Sequence, residues 1–185
     1  MHDPTAVIPP DIDFMVRPIL GWKGVVDKRV DHHMVDQMAR LRPDWSFAMV
    51  GPVVKVDPNL FPHALNLFWM GVRDYKPNFC AARDLCMMCF ALNASTEFIS
   101  TKGLEYTATG RPIVSTRVRD VVRQWSDIPY GPYLASGAEE FVLQAEKALG
   151  DAGGLESAKQ NCWDATVNKM RSLIRDAISR SGKKR

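Results

Sequence analysis

A polar segment that follows an apolar stretch carries several groups suited to binding an anion. It runs from Ala91 to Tyr106, and Ser100 or Thr101 is placed to cap a helix that begins there. Unpaired backbone N–H groups at a helix start attract phosphate, and Lys102 adds a full positive charge. Glu105, about one turn further on, is placed to accept hydrogen bonds from ribose hydroxyls. Together these groups would suit a nucleoside diphosphate; the alternative is a capped surface helix with a solvated Lys and Glu.

Two glutamates, Glu97 and Glu105, are separated by seven residues in this segment. That spacing alone is weak, because motif matches of this kind arise by chance. Its context is stronger: Glu97 precedes the predicted helix, Glu105 lies on it, and residues 110–114 lead directly back into an apolar strand.

Short apolar strands alternate with helical patterns through the middle of the chain. This alternation is typical of an α/β fold with a parallel, Rossmann-like sheet covered by helices on both faces. Strands are predicted at 18–26, 45–50, 66–70, 85–90 and 112–115, with an edge strand near 130–135. Helices are predicted at 31–41, 75–82, 101–109, 118–125, 138–149 and 155–179. Ligands of such sheets bind in the loops at the carboxyl ends of the strands, here the loops after residues 26, 50, 70, 90 and 115.

The length of 185 residues allows one ordinary domain, and the chain divides into three parts. Residues 1–18 are rich in proline and lack periodicity, which predicts an arm or a linker. Residues 19–152 form the predicted Rossmann-like domain. Residues 153–185 form a predicted C-terminal helix with a basic tail.

Composition excludes several protein classes. The chain is 46% hydrophobic and 24% charged, which is a globular composition, and no apolar run approaches the roughly 20 residues of a membrane span. The N-terminus has no pattern of a signal peptide. The net charge of +3 divides into +6 over residues 169–185 and −3 over the rest. A basic tail of this kind is a solvated helix end or a contact for phosphate, nucleic acid or anionic lipid.

Two short motifs invite a metal assignment that their contexts disfavour. Cys86 and Cys89 form a CxxC, but they lie in an apolar run that predicts a buried strand, where positions three apart point to opposite faces. Asp11-Ile12-Asp13 is formally a DxD, but it lies in the proline-rich arm and is expected to be accidental. We therefore predict no metal site. Free thiols also fit a reducing, cytoplasmic setting.

The stretch from Glu97 to Val114 resembles the donor-binding segment of the GT-B glycosyltransferases of group 1, the family 4-like class. In that class two glutamates at this spacing lead into a helix and then a Gly-x-Pro-Val-Val strand, matched here by residues 110–114. Residues 21–31 resemble the first strand and loop of the C-terminal domain in a bacterial branch. Residues 42–58 resemble its second strand and loop, and residues 161–164 the start of its last helix. The branch usually has Pro-Thr-Lys where this chain has Ser100-Thr101-Lys102, with a loop that is one residue shorter here.

The resemblance implies a role for each matching residue. Glu105 would bind the ribose of a nucleotide-sugar donor, and Glu97 would contact the donor sugar from the reactive side as the catalytic residue. Four groups would hold the diphosphate: Lys102, the backbone near Ser100 and Thr101, Arg29 in the first loop and, as a weaker candidate, Lys55. Enzymes of this class act by stabilising the departing nucleoside diphosphate with positive groups and helix N-termini, without an obligatory metal or other cofactor.

The same resemblance implies a missing half. A GT-B enzyme has two Rossmann-like domains with the active site between them, and 185 residues are too few for both. The implied function is binding of a nucleotide-sugar donor, with UDP as the expected nucleotide. The sugar would be transferred to an acceptor held by an N-terminal domain or a partner protein, in cell-surface polysaccharide synthesis. The expected location is the cytoplasm, or the periphery of the inner membrane face. A homo-oligomer is left open, and so is a non-catalytic nucleotide-binding subunit or inactive remnant.

Two other classes compete less well. A flavodoxin-like or NAD-binding Rossmann protein lacks support because residues 21–24, Gly-Trp-Lys-Gly, do not continue into GxGxxG. Nucleic-acid binding through the tail is disfavoured because the body is acidic and shows no aromatic and basic patch. The sugar and the acceptor are not specified by the sequence.

Overall fold

Six short apolar segments form one parallel sheet in the computed structural model. The model describes residues 10–73, 84–91, 111–125 and 132–150, together with Gly103, Glu105, Tyr106, Thr109, Arg171, Ser172 and Arg175. The strands are β1 (Ile19–Lys23), β2 (Ser46–Val50), β3 (Leu67–Gly71), β4 (Leu85–Met88), β5 (Ile113–Thr116) and β6 (Tyr133–Ala135). Their order across the sheet is β3-β2-β1-β4-β5-β6. The predicted Rossmann-like α/β fold is confirmed, and the strand order reverses between β1 and β4, where such folds bind their ligands.

The described helices connect or follow these strands. They are α1 (Pro10–Asp13), α2 (His32–Leu41), α3 (Arg119–Trp125) and α4 (Ala138–Gly150), with a 3-10 turn at Pro58–Leu60. Gly103, Glu105 and Tyr106 are also helical, as are Arg171, Ser172 and Arg175. The helix predicted at 75–82 and most of the one predicted at 155–179 lie outside the described residues.

The bounds of helix α2 follow from its capping residue, its buried apolar face and the proline that follows it. The Asp31 carboxylate accepts a hydrogen bond from Met34 N at 2.9 Å and so caps the helix. Four apolar residues of α2 are buried, and they recur at helical spacing: Met34, Val35, Met38 and Ala39. The helix ends before Pro43, which cannot continue it.

The segment before β1 departs from the arm expected for residues 1–18. Ile12 and Met15 are buried against Ile19, Ala48 and Val50. Ile12 and Met15 thus cover part of one face of the sheet, although the segment that carries them shows no helical or strand periodicity in its sequence. From residue 10 onward the segment therefore packs on the domain instead of leaving it.

Candidate functional site

The loop after β1 crosses the carboxyl edge of the sheet. Gly24 N donates to Val50 O at 2.8 Å, and Val26 N donates to Pro52 O at 2.9 Å. The backbone approaches so closely here that a Cβ on Gly51 would lie 1.9 Å from Gly24 O. Only glycine fits at position 51, and the loops after β1 and β2 are held together at this edge.

The same loop also contacts the chain that leaves β4. Asp31 N donates to Cys89 O at 2.9 Å and Ala91 N donates to Arg29 O at 2.8 Å, on either side of an antiparallel bridge between Val30 and Phe90. Because Ala91 leads into residue 92, the backbone of Arg29 lies beside the entrance to the predicted diphosphate loop. The phosphate contact of Arg29 stays a prediction.

Arg29 is not an isolated cation at this site. Its Nη2 lies 2.6 Å from Asp27 Oδ2, and its Nε is 3.0 Å from both carboxylate oxygens. The hydrogen bonds from Arg29 lower the pKa of Asp27, and the Asp27 carboxylate raises the pKa of Arg29. The pair orients the guanidinium and reduces its net charge, which the sequence analysis missed. An Asp two residues before an Arg was the available signal.

Glu105 lies on a helix that is anchored to β1. The neighbouring Tyr106 is buried, and its hydroxyl accepts a hydrogen bond from Lys23 N at 2.7 Å. The Glu105 side chain is exposed. Glu105 thus projects to solvent next to the residue that is bound to the carboxyl end of β1, on the ligand-binding edge of the sheet.

Lys55 is also on this edge, two residues after Val53, which bridges to Val26. Its side chain is exposed, and its backbone has φ 58, the left-handed conformation that favours glycine. Lys55 remains a candidate for contact with the diphosphate, and this role stays a prediction. The other predicted site residues, Glu97, Ser100, Thr101 and Lys102, lie outside the described residues.

An aromatic cluster at the start of α2 was not predicted. The His32 ring stacks on Phe61 with centroids 5.0 Å apart, and Phe61 stacks on Trp69 at 4.3 Å. His32 Nε2 lies 3.0 Å from Asp27 O, which ties the cluster to the Arg29 loop. The sequence signal was weak, because the three rings are separated by 29 and 8 positions and meet only in the fold.

Of the two motifs with formal metal spacing, the CxxC is buried and the DxD is partly exposed. Cys86 and Cys89 are both buried, and Cys86 Sγ is 3.5 Å from Thr109 Oγ1. Burial raises the pKa of the Cys89 thiol, which keeps it protonated. Asp11 of the DxD pairs with Arg73 at 3.2 Å. Among the described residues no group of three or more His, Cys, Asp or Glu could hold a metal ion.

A groove of about 680 Å³ lies between α2 and the first turn of α4, which follows the carboxyl end of β6. Arg40 and Glu140 line it, but Arg40 pairs with Asp36, and Glu140 accepts from Ser136 N at 2.8 Å. We place the candidate site at the ends of β1 and β2, because Arg29 and Lys55 lie in the loops that follow these strands and Glu105 is adjacent to Tyr106, which binds the end of β1. In the part of the chain that the structure describes, no helix is long and apolar enough to cross a membrane.

Comparison with known proteins gives one curated relative and several solved structures. No protein-family model matches the chain. TuaH of Bacillus subtilis, whose name assigns it to teichuronic acid biosynthesis as a glycosyltransferase, is 26% identical over 162 residues. That match covers 84% of this chain and 38% of TuaH.

The solved structures show the fold. HepE of Anabaena, crystallised with UDP-glucose, matches with a TM-score of 0.63 at 14% identity, over 90% of this chain and 50% of its own. The C-terminal domain of LpcC, a group 1 glycosyl transferase of Francisella tularensis, matches with a TM-score of 0.57 at 16% identity. The LpcC match covers 86% of this chain and 89% of that domain. The chain has the fold of one half of a GT-B glycosyltransferase.

The resemblance found in the sequence is thereby confirmed. The GT-B half matches the isolated C-terminal domain of LpcC over nearly its whole length, but it spans only about half of HepE and about two fifths of TuaH. The chain is glycosyltransferase-like, and its relative TuaH bears a name from cell-surface glycan synthesis.

Proposed function

We propose that this chain is the donor-binding half of a GT-B glycosyltransferase that uses a nucleoside diphosphate sugar. The observation that carries the proposal is the convergence at the reversal point of the sheet. The helix of Glu105 is bound to the end of β1 through Tyr106, and Arg29 lies beside the chain that enters residue 92. Open α/β sheets bind nucleotides at this point.

In the proposed complex Glu105 accepts hydrogen bonds from the ribose hydroxyls. Arg29, Lys102, Lys55 and the backbone near Ser100 and Thr101 contact the diphosphate, whose negative charge grows as the sugar departs. Glu97 contacts the donor sugar. No metal is required in this proposal, because positive side chains and backbone N–H groups supply the stabilising charge.

The acceptor and the rest of the active site would come from an N-terminal domain or a partner protein. We infer the nucleotide to be UDP because HepE was crystallised with UDP-glucose, and the product to be a cell-surface glycan because of the name of TuaH. We further propose that the protein works in the cytoplasm, with at most a peripheral contact to the membrane.

The proposal is tested by isothermal titration of the chain with UDP, GDP and their glucose conjugates. We expect saturable binding of at least one nucleotide, and a loss of about 10- to 100-fold in affinity for Glu105→Ala, which is about the effect of removing one hydrogen bond to a charged group. Glu139→Ala, which removes an exposed helical carboxylate on α4, is the matched control and should bind like wild type. Binding should also be unchanged by EDTA.

Two outcomes would contradict the proposal. No binding of any nucleotide by the wild-type chain would remove the donor-binding role altogether. Equal affinities of wild type and Glu105→Ala would show that the ribose assignment is wrong. Binding without transfer in the presence of a complete acceptor half would favour the non-catalytic subunit.

A further inference from the structure

The pairing between β1 and β4 stops before β1 ends. Residues pair at Leu20 with Leu85 and at Gly21 with Cys86, the last pair of this ladder. In a strand alternate residues direct their N–H and C=O groups to the same neighbour, so Lys23 points its backbone groups to the β4 side, as Gly21 does. Lys23 lies two residues past the last pair, and its backbone N–H and C=O groups need hydrogen-bond partners at this end of the strand.

The Tyr106 hydroxyl forms hydrogen bonds with both backbone groups of Lys23. Lys23 N donates to it at 2.7 Å, and the hydroxyl donates to Lys23 O at 3.2 Å. A phenol both accepts and donates, so one atom can satisfy both groups of the same residue. Tyr106 is 1% exposed, which shields both hydrogen bonds from water. Position 106 is 83 residues from Lys23.

A second contact fixes the same helix one turn earlier. A Cβ on Gly103 would lie 2.9 Å from Cζ2 of Trp125, so the helix backbone rests directly on the indole of α3. Trp125 is itself 94% buried and therefore cannot move aside easily. The helix is thus held on two sides, by β1 through Tyr106 and by α3 through Gly103.

From this geometry we propose that Tyr106 is a positioning residue that sets the place of Glu105 against the ribose of the donor. The inference rests on the proposed function. Glu105 is adjacent to Tyr106 on the helix but exposed, so its carboxylate can reach a ligand only where the helix is placed. The hydroxyl of Tyr106 fixes that placement relative to the carboxyl end of β1.

The test compares UDP with 2′,3′-dideoxy-UDP, which lacks the hydroxyls that Glu105 would bind. We expect wild type to prefer UDP by at least about 10-fold. Tyr106→Phe keeps the ring and removes the hydroxyl, and should reduce that preference to about 2-fold or less. Affinity for the dideoxy nucleotide should fall less than affinity for UDP, because the proposed diphosphate contacts of Arg29 and Lys55 lie on other loops and do not depend on the helix of Glu105. A general loss of structure would weaken both ligands together.

Two further variants isolate the effect. In a Glu105→Ala background Tyr106→Phe should change UDP affinity by less than about 2-fold, because a residue that acts through Glu105 has nothing left to position. Tyr133→Phe removes a hydroxyl on β6, three strands from β1, and should behave like wild type. If Tyr106→Phe does not fold, Gly103→Ala, which displaces the same helix from Trp125, should lower the preference in its place.

The outcomes separate the two proposals. Binding of UDP by wild type, with an unchanged preference in Tyr106→Phe or in Gly103→Ala, would overturn the positioning role and leave the donor-binding function intact. Additive losses in the Glu105→Ala background would also overturn it. Absence of nucleotide binding by wild type would overturn the proposed function and this inference with it.

Discussion

At the scale of single residues, the fold changes the electrostatic surroundings of Arg29. The sequence predicts a cation for binding phosphate, and the structure pairs its guanidinium with Asp27. Asp27 binds its guanidinium through two oxygens, so the charge that faces the candidate site belongs to a pair. A bidentate pair of this kind gives direction as well as attraction. A phosphate bound here would meet an oriented guanidinium rather than a freely moving one.

The first prediction concerns this pair. Asp27→Asn is expected to lower the free energy of unfolding by about 1 kcal/mol at pH 7, because an ion pair becomes a hydrogen bond from the charged Arg29 to an uncharged amide oxygen. The pKa of Asp27 is lowered in the folded state from its ordinary value of 3.8. The advantage of wild type over the variant is therefore full above about pH 4 and falls as the pH drops below that value. Urea unfolding at pH 7, 4 and 3 measures both effects.

A matched control lies at the opposite end of the sheet. Arg42 and Asp44 form the same kind of pair at the same sequence distance, with Nη2 and Oδ2 2.6 Å apart, but the Asp44 side chain is 61% exposed against 15% for Asp27. Solvent screens exposed pairs, so Asp44→Asn should cost less than Asp27→Asn. Equal costs for the two variants would show that burial of the Asp27 pair does not strengthen it.

At the scale of elements, the site depends on loops that continue past the ends of β1, β2 and β3. Gly51 N donates to Gly71 O at 2.9 Å while Gly24 N donates to Val50 O, so three strand ends meet around one glycine. The Gly51 backbone has φ 146, a region that side chains rarely adopt. Gly51 therefore controls the packing of the edge that carries Arg29 and Lys55.

The second prediction tests this meeting point. Gly51→Ala is expected to destabilise the chain by at least about 3 kcal/mol, because its Cβ would lie 1.9 Å from Gly24 O and the backbone of two loops must shift. Gly137→Ala is the control, since a Cβ there meets nothing within 4 Å. Chemical denaturation compares the two. A cost for Gly51→Ala within 1 kcal/mol of the control would be incompatible with this packing.

A second contact between elements lies at the amino edge of the sheet, where the Asn66 side chain meets three backbone carbonyls. Asn66, just before β3, has its amide Nδ2 2.8 to 3.0 Å from the carbonyls of Ala39, Arg42 and Trp45. One side chain thus joins the end of α2 to the starts of β2 and β3, and satisfies carbonyls that the helix end leaves unpaired.

The third prediction follows from that amide. Asn66→Asp should cost about 2 to 3 kcal/mol of unfolding free energy, more than Asn66→Ala, because a carboxylate cannot donate and would face carbonyl oxygens. Asn59→Asp is the control, because Asn59 is exposed and bonds only within its own turn. Thermal unfolding monitored by circular dichroism ranks the three variants. A smaller loss for Asn66→Asp than for Asn66→Ala would contradict the donor role of the amide.

At the scale of the whole molecule, the chain is one Rossmann-like body, and those proposed donor contacts that the structure describes, Arg29, Lys55 and Glu105, lie at or beside one edge of its sheet. The solved GT-B structure with UDP-glucose is about twice its matched length. Donor binding and glycosyl transfer should therefore separate, because the first needs one edge and the second needs an acceptor held opposite to it.

The fourth prediction expresses this separation. The 185-residue chain should bind its nucleotide, and nucleotide at 100 times its Kd should raise the free energy of unfolding by about 2.7 kcal/mol, or about 5 to 10 °C in Tm. Transfer of sugar to an acceptor should be undetectable until an acceptor-binding half is supplied in cis or in trans. Efficient transfer by the chain alone would refute the need for a second half.

The sequence by itself determined the strands, the positions of α2, α3 and α4, and the resemblance to one half of a GT-B glycosyltransferase. Strands such as Ser46–Val50 are continuous apolar runs, and α2 has both a capping Asp31 and a period of buried residues. Such signals are local, so they can be read along the chain. The sequence spacing of Glu97 and Glu105 is also a local signal. It led to the GT-B resemblance that the comparisons confirmed.

Only the tertiary structure decided which groups meet. Tyr106 and Lys23 are 83 residues apart, His32 meets Trp69, and Ile12 is buried on the sheet although its segment shows no period. No local pattern encodes such contacts, because they form only when the strand order places distant residues at one edge. Two residues past the last pair between β1 and β4, both backbone groups of Lys23 form hydrogen bonds with the Tyr106 hydroxyl.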